Sequence, residues 1–299
     1  MFLIVGGDSE IGGAAFAALK MQGEPTASTT RRRDHVAQDR LLLDLAASLD
    51  AWEPPREVAS ACLCAAVARL ADCAADPHRT AQINVTQTLA LVDKLLKRDI
   101  YVLFLSTNQV FDGSVPQVRP DAPHSPVSEY GRQKARTESA LSDYIARGAP
   151  VGILRLAKVV SPRMPLLQRW IADLAKGKPV SAFTDMTLAP TQMASVTSAI
   201  SAVLSERASG IFQLTGPRDV SYADVGRFLA GKLGVEPSLV QAASARAASL
   251  PAGATPLHTT LDSSALRNRF GLEVPDVWQV IESVTGSDLG KSRTMQNAG

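Results

Sequence analysis

The beginning of the chain limits the fold more than any other feature. A short apolar run, residues 1–5, stops at Gly6-Gly7 and passes into a helix-like stretch over 10–22, closed by Gly23 and Pro25. An apolar run that shows no alternation suits a strand buried on both faces, as in a parallel sheet. The same grammar repeats. Further strands are predicted over 26–30, 40–45, 58–66, 101–106 and 151–156. Helices are predicted over 77–97, with Ile83, Leu89, Val92 and Leu96 on one side, and over about 127–147. Alternating strands and helices predict a Rossmann-like doubly wound α/β sheet. After about residue 160 prolines break the pattern, although 192–205 reads as a helix and 210–215 as a strand; more helix is predicted within 221–233 and 264–284. The expected organisation is a dinucleotide-binding domain over 1–160, to which 192–216 returns. A smaller mixed domain spans 161–191 and 217–288, and 289–299 forms a frayed tail.

The chain has 299 residues, enough for a sizeable core, and its net charge of +2 leaves no electrostatic footprint for nucleic acid or an acidic membrane. No apolar run approaches the length of a membrane span, and none resembles a signal peptide, so the expected setting is the cytoplasm. Cys62, Cys64 and Cys73 lack the spacing of a disulfide framework or zinc site and read as small buried hydrophobes. No metal is expected. The sequence does not fix the oligomeric state; a homodimer is compatible with it.

The stretch GGDSEIGG (6–13) lies where a phosphate-binding turn belongs, between the first strand and first helix. Gly6 and Gly12 fit the outer positions of a GxxGxxG pattern. Ser9 replaces the middle glycine, and Asp8 and Glu10 bring negative charge nearby. The N-terminus of the helix, at Glu10 and Ile11, would face the pyrophosphate. Arg31 and Arg32 follow the second strand, where an acid would read the 2′-hydroxyl of NAD and arginine the 2′-phosphate of NADP. The sequence therefore favours NADP(H), with NAD(H) as the other cofactor this turn can take. The competing reading of Arg31–Arg33 is a solvated basic turn. Asp44, with Leu45, follows the third strand and is either an adenine contact or a strand-end cap.

YGRQK (130–134) places Tyr130 and Lys134 four apart, on one helix face. The preceding strand ends in Ser106-Thr107, and C-terminal strand ends line the ligand crevice of a parallel sheet. Thr107, Tyr130 and Lys134 can therefore converge. Tyr130 would protonate a carbonyl oxygen as hydride arrives. An ordinary phenol has a pKa of about 10, and a neighbouring ammonium, Lys134, would lower it. Thr107 would orient the substrate oxygen.

These residues resemble the extended short-chain dehydrogenase/reductases, and within them dTDP-4-dehydrorhamnose reductase and its relatives. The resemblance rests on LSTNQVFDG (105–113), RPDAPHSPVSEYGRQKARTE (119–138) and DPHRTAQINVTQT (76–88). It extends through TDMTLAPTQMASV (184–196), GIFQLTGPRDVSYADV (210–225) and LDSSALRNRFGL (261–272). It implies a sugar-nucleotide keto reductase whose cofactor also touches Cys64, Ala65 and Ala66, with Lys134 holding the nicotinamide ribose. It places Asn108, Gln109 and Val110 near the sugar, with Arg155 and Lys158–Pro162 bordering nicotinamide and sugar. Two departures stand out. Asn108-Gln109 replace the family's Asp-Tyr after Thr107, so the sugar need not be that of the family's best-known member. Cys64–Ala66 are followed by Val67-Ala68-Arg69, not by a polar and aromatic stretch. The same scaffold hosts epimerases and 4,6-dehydratases, and non-catalytic NADP-binding regulatory subunits. Asn108 counts against a dehydratase, which wants an acid there.

Overall fold

The computed structural model describes residues 1–162, 164–248 and 250–286. The predicted end segment, 289–299, lies outside them. Six strands carry the first half: β1 (Phe2–Val5), β2 (Thr26–Thr30), β3 (Arg40–Leu42), β4 (Ser60–Leu63), β5 (Tyr101–Thr107) and β6 (Val151–Leu156). With Gly210–Leu214 they form one seven-stranded parallel sheet, in the order Gly210–Leu214, β6, β5, β4, β1, β2, β3. The chain winds outward from β1 to β3, returns to β4, and winds the other way. The topological switch point therefore lies between β1 and β4, where a doubly wound sheet opens its ligand crevice.

Among the described residues, helices flank or extend this sheet. They are α1 (Glu10–Met21), α2 (Leu70–Ala75), α3 (Pro77–Ala81), α4 (Thr88–Leu96), α5 (Glu129–Ala146), α6 (Pro165–Leu174), α7 (Met193–Ser205), α8 (Tyr222–Leu233) and α9 (Ser264–Phe270). Residues 277–286 are also helical. On one sheet face Leu19 of α1, Ala199 and Ile200 of α7 and Leu266 of α9 pack on Ile4, Leu103 and Leu154. On the other, Leu91, Val92 and Leu95 of α4 and Leu141 of α5 pack on Leu3, Phe104 and Ile153. A separate apolar cluster joins Trp170 and Leu174 of α6, Leu229 and Leu233 of α8, and Val277 and Ile281. A two-stranded parallel ladder, Val180–Phe183 beside Val240–Ala243, belongs to that second cluster. No helix among the described residues is long and apolar enough to cross a membrane.

The structure corrects the single helix predicted over 77–97. Asp76 caps α3 by accepting from the Arg79 N–H, with Pro77 at the first helical position. A π-helical turn, Gln82–Gln87, then separates α3 from α4. The wider turn faces Asn84 inward, where its side chain bonds both backbone groups of Val67 and Gln133 Oε1. The buried face is consequently Val85, Leu91, Val92 and Leu95, and only Val92 of the four predicted positions is fully buried. A 3.6-residue period cannot be carried across an inserted residue. Pro165, expected to break structure, instead starts α6 at its first turn, where proline's missing N–H costs nothing.

Candidate active site

The glycine turn is held by the second strand. Thr29 Oγ1 accepts from Gly6 N at 2.9 Å, and Gly7 N donates to Thr29 O at 2.9 Å. Gly6 has φ +92°, and a Cβ there would lie 2.7 Å from Ala65 N, so this position requires glycine. Ser9 has φ −77° and ψ 156°, extended backbone that needs no glycine, and acts as the N-cap of α1. Its Oγ accepts from Gly12 N at 3.0 Å and donates to Gly6 O at 2.8 Å. The departure from glycine at position 9 is therefore a cap. A Cβ at Gly12 would sit 2.2 Å from Gly6 O, so Gly12 lets helix and turn close together and does not itself line a cavity. Capping Gly12 leaves the N–H groups of Glu10 and Ile11 as the first-turn donors for an anion. Asp8 does not oppose that anion freely. Burial works against its carboxylate, but donors from Thr30 and Arg40 hold its pKa below the ordinary value.

A cavity of about 510 Å³ opens beside this turn. Gly6, Ser9, Arg31, Arg32, Asp44, Leu45, Ala65 and Ala66 line it, and sequence reasoning had missed Arg69 and Arg79 on the same wall. Arg33 turns away into a 3₁₀ turn over Arg33–His35. Asp44 lines the cavity and also accepts from Ala46 N. The glycine turn, helix terminus and paired arginines together fit the phosphates of a dinucleotide.

A second cavity, about 600 Å³, shares Ser9, Ala66 and Ala68 with the first, so the two form one crevice. Thr107, Asn108, Gln109, Tyr130, Lys134 and Lys158 line it, with Glu10, Ile11 and Cys64 toward the turn. Thr107 ends β5 and caps the next turn by accepting from Gln109 N at 3.2 Å. Ser128 caps α5 and so fixes where Tyr130 and Lys134 begin. Lys134 is 3% exposed; its Nζ donates to Leu105 O at 2.7 Å and lies 4.2 Å from the Phe104 ring centre. Burial presses its pKa down to about 8, against the opposing pull of Glu138.

Three expectations are corrected here. Lys134 does not bring the Tyr130 phenol below its ordinary value: its ammonium is bonded to Leu105 O, 5.9 Å from the Tyr130 ring centre, and burial outweighs it, pushing the phenol up. Val110 does not face the sugar: it is fully buried against Phe111, Ala135 and Leu261. Arg155 does not border the nicotinamide. It is 1% exposed and bonds Glu138, Gln213 and Pro120 O, and His124 completes the cluster. Burial works against Glu138, but His124 and Arg155 hold its carboxyl below the ordinary range. Of the segment 158–162, Lys158 and Val159 line the cavity while Val160 is buried in the second apolar cluster. Cys62 and Cys73 are buried as expected, whereas Cys64 is half-buried and reaches the cavity. The far wall, Met186–Leu188, Met193, Tyr222, Ala254, Pro256 and Thr259, comes from the second half of the chain. Met186–Leu188, Met193 and Tyr222 fall in segments that carry the family resemblance; no motif marked Ala254, Pro256 or Thr259.

A family model described as the RmlD substrate binding domain matches residues 1–286. The chain belongs to this family. It is thus an extended short-chain dehydrogenase/reductase of the RmlD-like subgroup. Among its relatives is a probable low-salt glycan biosynthesis reductase of Haloferax volcanii, 28% identical over 219 residues, which are 71% of this chain and 72% of the relative. A dTDP-4-keto-6-deoxy-D-glucose reductase of Streptomyces niveus is 27% identical over 242 residues, 80% of this chain and 81% of that one. The solved dTDP-4-dehydrorhamnose reductase of Bacillus anthracis, in complex with NADP, superposes with a TM-score of 0.76. That match covers 96% of this chain and 97% of the other at 16% identity, a likeness that speaks for the fold.

Proposed function

We propose that this RmlD-family chain is an NADP(H)-dependent reductase of a keto group on a nucleotide-linked deoxysugar, with Tyr130 as proton donor. The observation that carries the reading is the shared crevice: Thr107, Tyr130 and Lys134 line one cavity, and it joins the cavity at the glycine turn through Ser9, Ala66 and Ala68. Gly6, Ser9, Glu10 and Ile11 would hold the pyrophosphate, Arg31 and Arg32 the 2′-phosphate, and Lys134 the nicotinamide ribose. Reduced nicotinamide, when bound, supplies the hydride taken up by the carbonyl carbon.

The chain's own groups then handle the oxygen. The Thr107 hydroxyl orients it, and Tyr130 gives it a proton. The phenol is protonated at neutral pH, as the reductive direction requires, and burial, which disfavours the phenolate, is opposed there by the Lys134 charge. Lys134, largely protonated at pH 7, places positive charge near the phenolate as it forms. Asn108, Gln109 and Lys158 face the same space and would contact the sugar nucleotide. We further propose the division anticipated above, with 1–160 and 192–216 holding the dinucleotide and 161–191 with 217–288 closing over the sugar nucleotide. The relatives' named activities on dTDP-linked keto sugars support the substrate class.

The test is a panel of nucleotide-sugar ketones with NADPH and with NADH, read by loss of the reduced nicotinamide's absorbance. Faster oxidation of NADPH on a 4-keto-6-deoxy sugar nucleotide is expected. No turnover with any ketone would sink the reading.

A further inference from the structure

The turn after β5 is joined to a distant segment by a directed chain of hydrogen bonds. Gly131 N, in the first turn of α5, donates to Ser128 Oγ at 3.0 Å. Ser128 Oγ has one hydrogen, and it goes to Gln109 Oε1 at 3.1 Å. Gln109 Nε2 donates to Gly253 O at 3.0 Å. A backbone carbonyl can only accept, so the order of donors fixes which end of the Gln109 amide faces which partner. Gly131 also packs on the Gln109 backbone, and Gly253 on the Gln109 side chain. A Cβ at Gly131 would stand 2.1 Å from Gln109 O, and one at Gly253, which has φ +78°, would stand 2.9 Å from Gln109 Oε1.

Gly253 belongs to a strap, residues 250–259, that supplies Ala254, Pro256 and Thr259 to the cavity wall opposite Thr107 and Tyr130. The far end of the strap is well pinned. Asp219 accepts from Thr259 N and Oγ1, His258 N donates to Gly113 O, and Thr187 Oγ1 donates to Leu257 O. The near end is not. Among the described residues, the Gln109 amide makes the one hydrogen bond that reaches 250–255 from outside the 244–259 stretch.

We propose that Gln109 is a positioning residue that locks this strap onto the N-terminus of the catalytic helix, and so sets how tightly the sugar end of the substrate is held. Position 109 is one of the two places where the chain departs from the Asp-Tyr of the family it resembles, so the tie belongs to this chain's own side chain. The kinetic part of the claim rests on the reductase reading; the tie itself does not. Gln109→Glu is nearly isosteric but sets an acceptor against Gly253 O. Gln109→Met removes both bonds without adding charge.

The experiment measures hydrogen–deuterium exchange of the 250–259 amides, and steady-state kinetics, in both variants. Gln109→Glu is expected to raise exchange across the strap and KM by about tenfold, the scale of one lost hydrogen bond, with the change in kcat small by comparison. Gln109→Met should move both in the same direction and by less. Amides of β5 should not change in either. Unchanged strap exchange in a folded variant overturns the proposal, and so does faster exchange with KM unmoved. If the unsubstituted protein turns over no ketone, the reductase reading has failed instead; exchange then decides alone whether Gln109 holds the strap.

Discussion

Lys134 and Glu138 stand one helical turn apart on α5, and their surroundings set what each can do. Lys134 is charged below about pH 8 and neutral above it. If its charge supports proton delivery by Tyr130, kcat/KM for ketone reduction should be full below that pH and fall as pH rises through about 8. Lys134→Arg, which stays charged far higher, should move that alkaline limb upward. A profile flat to pH 10 in the unsubstituted protein would contradict this role. Glu138 answers a different question. It is fully buried, and Arg155 is its buried counter-charge at 2.7 Å. Arg155→Leu would strand a carboxylate in the interior and should cost roughly 3–5 kcal/mol of stability in denaturant unfolding. A loss below about 1 kcal/mol would mean that the carboxylate protonates or finds water. The sequence disclosed Tyr130 and Lys134 through their four-residue spacing and the strand end before them. The resemblance misplaced Arg155, because what fixes its side chain is the buried Glu138, 17 residues away, which a match of segments does not disclose.

At the scale of elements, caps decide where the functional helices start. Ser9 caps α1 and Ser128 caps α5, each by accepting from the N–H three residues on. Ser9→Ala should destabilise the fold by about 1 kcal/mol and weaken NADPH binding, while Ser9→Gly should cost only a few tenths. Calorimetry and fluorescence titration would check this; an equal loss in both variants would deny the capping role. The glycine-rich pattern was legible because Gly6 needs its positive φ. The role of Ser9 was not, because small-residue tolerance and capping leave the same letter in the sequence. The π-turn at Gln82–Gln87 was invisible for a related reason: its cause is the inward bonding of Asn84 to Val67 and Gln133, groups 17 and 49 residues away.

For the whole molecule, the sheet order places the two halves of the crevice at the switch point between β1 and β4. Everything the alternation of strands and helices could specify lies on that side. The opposite wall, from Met186 to Thr259, is assembled from a two-residue ladder, the first residues of α7 and α8, and a loop, so their convergence emerged only in three dimensions. Ligand binding should register across the whole fold. NADPH at a hundred times its Kd should add roughly 2.7 kcal/mol of stability. NADH should add less at equal concentration, and Arg31→Ala with Arg32→Ala should erase the difference. Equal stabilisation by both cofactors in the unsubstituted protein would remove the argument from the arginines. The central claim, that this crevice passes hydride to a sugar ketone while Tyr130 supplies the proton, is tested most directly by isotope transfer. The protein would be incubated with a nucleotide-linked 4-keto-6-deoxy sugar and NADPH deuterated at the transferable nicotinamide position, and the product weighed by mass spectrometry. One deuterium on the former carbonyl carbon, with transfer slowed a hundredfold or more in Tyr130→Phe, is the predicted result; no label in the product, or equal rates with and without the Tyr130 hydroxyl, would contradict it.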